Sequence, residues 1–187
     1  MPAASKKQQN YFKLVQSFKE EGERGFFKKW KELFDAWKEL KMGMRNYKTR
    51  EPNFPEGLSE VAFWLYSGSG RFISIKGKAS RSFDTFNTKT QRAEQIKATS
   101  VGKDLTSFGP KSKWDDLYFL DFYNNGKLDG TFNVYKIPTS LVHKIEVKKG
   151  ITFLARQLEG KRPRFSLVNA FIKTGIVKLI EQDVKVW

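Results

Sequence analysis

Arg81-Ser-Phe-Asp-Thr-Phe-Asn-Thr-Lys-Thr-Gln-Arg-Ala-Glu-Gln-Ile-Lys-Ala-Thr99 sets an acid, a turn and a lysine-bearing strand in one short unit, and its reading decides the fold. Residues 93–99 read as a strand, in which successive side chains point to opposite faces. Glu94, Ile96 and Ala98 then share one face, with Ala93, Gln95, Lys97 and Thr99 on the other. Residues 82–86 form a preceding extended run. With Asn87 to Thr90 as the connecting turn, Asp84 arrives beside Gln95 and Lys97. The result is an oxygen-rich pocket with one ammonium group.

Hard divalent cations such as magnesium take carboxylate, carbonyl and water oxygens. A metal held by Asp84, the Gln95 side-chain oxygen and a backbone carbonyl near Ile96 would polarise a scissile phosphate and lower the pKa of a bound water. Lys97 would stand beside that water or the phosphate and stabilise negative charge as it develops. This is the chemistry of phosphodiester hydrolysis.

The order of acid, turn and acid-x-lysine resembles the PD-(D/E)xK nucleases. Phe83 stands where that pattern has proline, and Gln95 where it has the second acid; a neutral amide binds a dication less well than a carboxylate. Glu94 points the other way on a regular strand, but a bulge across residues 93–95 would turn it inward, so it remains an alternative metal ligand. Farther along, Asp104-Leu-Thr-Ser-Phe-Gly-Pro110, Trp114, Leu117-Tyr-Phe-Leu-Asp121 and Lys161-Arg-Pro-Arg164 follow in an order similar to that of small type II restriction endonucleases, closest to those that cut GCNGC. The likeness spans Glu60 to Phe165, and the SFGP loop with the strand after it is its most specific part. It implies an α/β fold with a mixed central β-sheet flanked by helices, Mg2+ as cofactor, double-stranded DNA as partner and a homodimer. In several nucleases of this superfamily a helix ahead of the core strands adds an acid to the metal site; Glu60 is the matching residue, with a solvent-facing glutamate as the alternative.

Composition points the same way. The chain has 187 residues, enough for one domain with its own core, and 35 Lys+Arg against 20 Asp+Glu leave a formal charge of +15. Such an excess calls for a polyanionic partner, nucleic acid first. A membrane surface competes, but no apolar run reaches the roughly 18 residues that a spanning helix needs, and the N-terminus carries no apolar signal region. The absence of cysteine removes thiol nucleophiles, disulfides and thiolate metal sites, and fits the cytoplasm. Any metal is then held by oxygen or by the lone His143, which sits in Leu141-Val-His-Lys-Ile145 without a serine motif and reads as a surface or half-buried residue.

Along the chain, Tyr11, Val15 and Phe18 begin a helical period, which resumes after Gly22 to Gly25 as Phe26, Trp30, Leu33, Trp37 and Leu40. This long aromatic helix either packs on the domain core, with its lysines solvated, or forms part of a two-fold dimer interface matched to a palindromic site. Pro52 and Pro55 precede a second helix with Leu58, Val61, Ala62 and Leu65 on its buried side, and Phe72, Ile73 and Ile75 read as the first sheet strand. Residues 100–113 form a polar loop, either a crossover or a DNA-facing element in which Lys103, Ser107, Lys111 and Lys113 meet phosphates. Residues 114–122 read as an apolar strand and 131–137 as its hairpin partner, with Asp115, Asp116 and Asp121 either in structural roles or as metal ligands. A short helix then runs from Pro138 through Lys144. Arg162 and Arg164 flank Pro163 and are the leading DNA contacts, with Arg156 weaker, since arginine forks match phosphate oxygens and guanine O6 and N7. Residues 166–180 suggest a closing helix over one sheet face.

The whole reads as one restriction-endonuclease-like domain over residues 1–187: a helical region at 1–50 for dimerisation or DNA contact, and a catalytic core at 56–187. The expected activity is magnesium-dependent, site-specific cleavage of double-stranded DNA. Rival readings are a non-catalytic nucleic-acid binder with the same basic surface, and a structure- or RNA-directed nuclease on the same core.

Overall fold

The computed structural model describes residues 26–71 and 82–187. The expected periods at Tyr11 to Phe18 and at Phe72 to Ile75 lie outside these residues. Helix α1 is Phe26–Asn46, and its stripe of Trp30, Phe34 and Trp37 is buried. The aromatic period therefore splits by position. Trp30 and Trp37 enter the chain's own core, whereas Leu33 and Leu40 are 45% and 56% exposed, so any face that α1 offers to a second copy is the leucine side. Helix α2, Glu56–Ser67, packs on α1; the indole N–H of Trp30 donates to Leu58 O at 2.8 Å. Gly68 ends α2 in the left-handed region at φ 67°, where a residue without Cβ is unstrained.

The strands are β1 Gly70–Arg71, β2 Thr85–Asn87, β3 Arg92–Thr99, β4 Thr106–Ser107, β5 Asp116–Asp121 and β6 Phe132–Ile137. Helix α3, Thr139–Lys144, is followed by β7 Glu146–Lys148, β8 Ile151–Thr152, helix α4 Phe153–Leu158, β9 Arg164–Phe165 and β10 Leu179–Val184. Six strands form the central sheet in the order β1-β2-β3-β5-β6-β10. β3 and β5 run parallel, while their other neighbours are antiparallel. This is the mixed α/β architecture, with a mixed central sheet flanked by helices, that the sequence leads one to expect.

Alternation along the strands sorts the apolar side chains into two layers. Ile96 and Leu120 face α1 and α2 and join Trp30, Phe34, Phe63, Phe122 and Val134. Leu117 and Phe119 face the other way, onto Phe108, Trp114, Val142, Phe153 and Leu167. The sheet is thus buried on both sides, as a parallel pair at its centre requires.

The C-terminal expectation needs correction. Instead of a helix over 166–180, a single wide helical turn, Val168–Ile172, is followed by β10. Gly175, at φ 69°, breaks the helical path, and the free edge of β6 offers backbone partners to the chain that follows. Likewise there is no bulge at residues 93–95: Thr85 faces Glu94, Phe86 faces Ala93, and the β3–β5 register is unbroken from Glu94 to Thr99.

Candidate active site

β3 carries the candidate site, and the end of the β2 hairpin supplies its acid. Asp84, just before β2, accepts from the backbone N–H of Ile96 at 2.7 Å through Oδ2, and the Gln95 side-chain amide donates to the same oxygen. Its own N–H donates to Glu94 O at 2.9 Å. Asp84 therefore sits in line with β2 but beyond its last ladder pair, beside the edge of β3. Within a strand a residue's N–H and C=O point to the same side, so the carbonyl of Ile96 also looks toward Asp84. Oδ1 of Asp84 accepts no hydrogen bond from a described residue.

The charge balance there is uneven. Burial pushes the Asp84 carboxyl up to about 7, and the negative charges of Glu60 and, more weakly, Glu56 push the same way; the Ile96 N–H and the Lys97 ammonium only partly oppose them. Glu60 of α2 is thus close enough to be felt by Asp84. Lys97 follows on the Gln95 side of β3, half-buried, with its Nζ 5.7 Å from the centre of the Phe108 ring. Glu94 lies on the opposite face, buried; Thr85 Oγ1 donates to it at 2.8 Å and Asn87 Nδ2 at 3.4 Å. The structure thus brings Asp84, Gln95, Lys97 and the charge of Glu60 together and leaves Glu94 out. No group of three or more His, Cys, Asp or Glu suited to a metal occurs among the described residues.

A cleft of about 440 Å³ opens along the far end of β3. Lys97, Ser100, Lys103 and Ser107 line it, together with Arg50 and Glu56. Residues of the 100–107 stretch line one side of it. β4 pairs with β9: Ser107 lies opposite Arg164, and Phe108 N–H donates to Pro163 O at 3.1 Å. The SFGP loop and the KRPR segment, far apart in sequence, become neighbours. Asp104 fixes this stretch, accepting from Thr106 Oγ1, Ser166 Oγ and the backbone N–H groups of Leu167 and Val168. A Cβ on Gly109 would come within 2.5 Å of Ser112 Oγ, so a larger residue at this bend would have to displace that hydroxyl. Lys113 joins the acid's side of the site, since its N–H donates to Ser82 O at 3.1 Å and Ser82 Oγ donates to its carbonyl at 3.0 Å. The Lys111 side chain is exposed, as are Arg162 and Arg164. Arg156 instead pairs with Glu159 at 3.2 Å, which also holds Lys161 at 3.1 Å, so its charge is partly used within the chain.

A family model described as Bsp6I restriction endonuclease matches residues 23–174. The chain belongs to this restriction endonuclease family. Over 145 residues it is 33% identical to the type II restriction enzyme Bsp6I of Bacillus sp. (strain RFL6), covering 76% of this chain and 78% of that one. No solved structure matches it. This membership favours nuclease chemistry over a non-catalytic binder, and the matched span includes the Asp84 hairpin, the cleft wall and the KRPR segment of the endonuclease.

One cleft residue of the endonuclease escapes sequence reasoning. Arg50 precedes Glu51, which Arg45 Nε holds at 2.7 Å and the buried Lys41 Nζ at 2.8 Å; these bonds pull the Glu51 carboxyl down to about 2. Trp37 Nε1 also donates to Asn53 O at 3.1 Å. The segment bearing Arg50 is therefore pinned to α1. A basic residue two positions before a proline gives no local sign of this. His143 is half-buried between Trp114 and Phe153, and burial lowers its pKa, in keeping with a neutral packing residue.

Proposed function

We propose that this endonuclease hydrolyses phosphodiester bonds of double-stranded DNA at a specific site, as a type II enzyme using Mg2+, with Asp84 and Lys97 at its centre. The observation that carries the reading is the convergence of Asp84, Gln95 and Lys97 at the edge of β3, beside a cleft that Arg50, Lys97 and Lys103 line. The donor set fits a hard dication: Asp84 has an oxygen that no described residue bonds and more negative charge around it than its neighbours neutralise, and Gln95 and the Ile96 carbonyl add neutral oxygens. With so few carboxylates, water would complete the coordination, which suits magnesium.

Asp84, Gln95 and the Ile96 carbonyl would hold the ion, with Glu60 as an outer acid. When bound, it supplies Lewis-acid polarisation of the phosphate and a more acidic water. Lys97 stabilises the charge that builds on the phosphate oxygens as the water oxygen bonds to phosphorus and the opposite ester oxygen leaves. Lys103, Ser107, Lys111, Lys113, Arg162 and Arg164 hold phosphates along the duplex, with Arg156 at the margin, and the arginine forks are suited to guanine edges. The resemblance at SFGP and KRPR supports a target of the GCNGC type. Two centres related by a two-fold axis match a palindromic site, which favours a homodimer acting on DNA in the cytoplasm.

Mixed-sequence plasmid incubated with the protein and Mg2+ should give discrete fragments whose sequenced ends share one motif. Retarded but uncut plasmid would mean a binder, and smears or cutting of single strands and RNA alone would mean a nuclease directed by structure. Sedimentation of the protein on a duplex carrying that motif should show two chains per site.

A further inference from the structure

Lys97 makes no ion pair or hydrogen bond with any described residue; the contact that locates its ammonium is the face of Phe108, 5.7 Å from Nζ to ring centre. A lysine has a long flexible stem, and an ammonium at a cleft edge otherwise wanders among rotamers. A ring quadrupole attracts it without neutralising it, which a carboxylate partner would do.

The ring is itself immobilised. Phe108 is 1% exposed, with Trp114 and Phe165 nearly parallel to it at 5.5 and 5.8 Å and Phe153 edge-on at 5.1 Å. Its backbone is tied to the basic segment through Pro163 O at 3.1 Å. Such a buried aromatic position is ordinarily explained by packing alone. Here one face of the stack also meets the ammonium of the cleft.

We propose that Phe108 is a positioning residue for cleavage: its ring face holds the charged end of Lys97 at the cleft before DNA arrives. The inference rests on the role given above to Lys97. It predicts a dependence on the ring's electrons, not on its volume.

The test replaces Phe108, in the full-length chain, by phenylalanine carrying one, two or three ring fluorines, which weaken the quadrupole at nearly constant size. Single-turnover cleavage of plasmid with Mg2+ should slow with each fluorine, by about tenfold across the series. DNA affinity by mobility shift without metal, and the thermal midpoint, should stay level. Lys97→Ala is measured beside the series. Unchanged rates across the series, with Lys97→Ala inactive, would leave Phe108 as core packing and overturn the proposal. Wild-type cleavage by Lys97→Ala would overturn it too, by removing the lysine's role on which it stands. A fall in midpoint that parallels the fall in rate would assign the effect to stability and count against it.

Discussion

Asp84 and Asp116 flank the same strand, and their surroundings differ in sign. Burial pushes both carboxyls up. At Asp116 this is more than offset by Arg92, with Nε at 2.6 Å and Nη2 at 2.9 Å, and by Lys136 at 2.9 Å, so the carboxyl lies below its usual range. At Asp84 the neighbours are Glu60 and Glu56, and Lys97 does not restore the balance; the carboxyl rises to about 7. An acid with its cations in place holds a fold together. One left short of them costs stability until a cation arrives, and such imbalance is characteristic of functional sites.

Replacing each acid by its amide is the sharpest way to break this contrast. Asp84→Asn should lower single-turnover cleavage by about a thousandfold or more while leaving metal-free DNA affinity nearly intact, because it removes the ionisable group proposed to hold the metal on that edge. Asp116→Asn should leave cleavage within a few-fold of the parent and lower stability by about 1–3 kcal/mol in denaturant unfolding, the discount reflecting the half-exposed Arg92 and Lys136. If both variants lost cleavage alike, the distinction between them would collapse.

A smaller effect follows from linkage. A carboxyl whose folded pKa is raised binds its proton more tightly in the native state, so its contribution is present at low pH and lost as pH climbs from the usual carboxylate range through about 7. Asp116 behaves oppositely, its contribution being present above that range and lost as pH falls. Mg2+ should therefore raise the thermal midpoint by a few degrees at pH 8 and by less at pH 6, and the rise should vanish in Asp84→Asn but persist in Asp116→Asn. A metal-induced shift that ignored pH would separate the cation from Asp84.

How much of this was legible beforehand depended on distance along the chain. The hairpin carrying Asp84 toward Gln95 could be read locally, because strand alternation and a turn of Asn and Thr need no distant partner. The α1 period was legible too, but not which of its members would be buried: Trp37 and Leu40 follow one helical pattern, yet only Trp37 faces Phe54. Residues 166–180 misled for a related reason. Leu167 and Phe171 do sit one turn apart on a core face, as in a helix, but Gly175 and the waiting edge of β6 turn the rest into strand.

By itself, then, the sequence determined the spacing of acid, amide and lysine, the cationic excess and the family. It did so because strand period and charge are properties of neighbouring residues or of the sum. Only the tertiary structure decided that Asp116 is neutralised and Asp84 is not, that Ser107 and Arg164 pair across two short strands, and that Arg50 and Lys97 line one cleft. Those outcomes depend on electrostatic and packing contacts between segments brought together by folding, and no local pattern encodes which charges will meet.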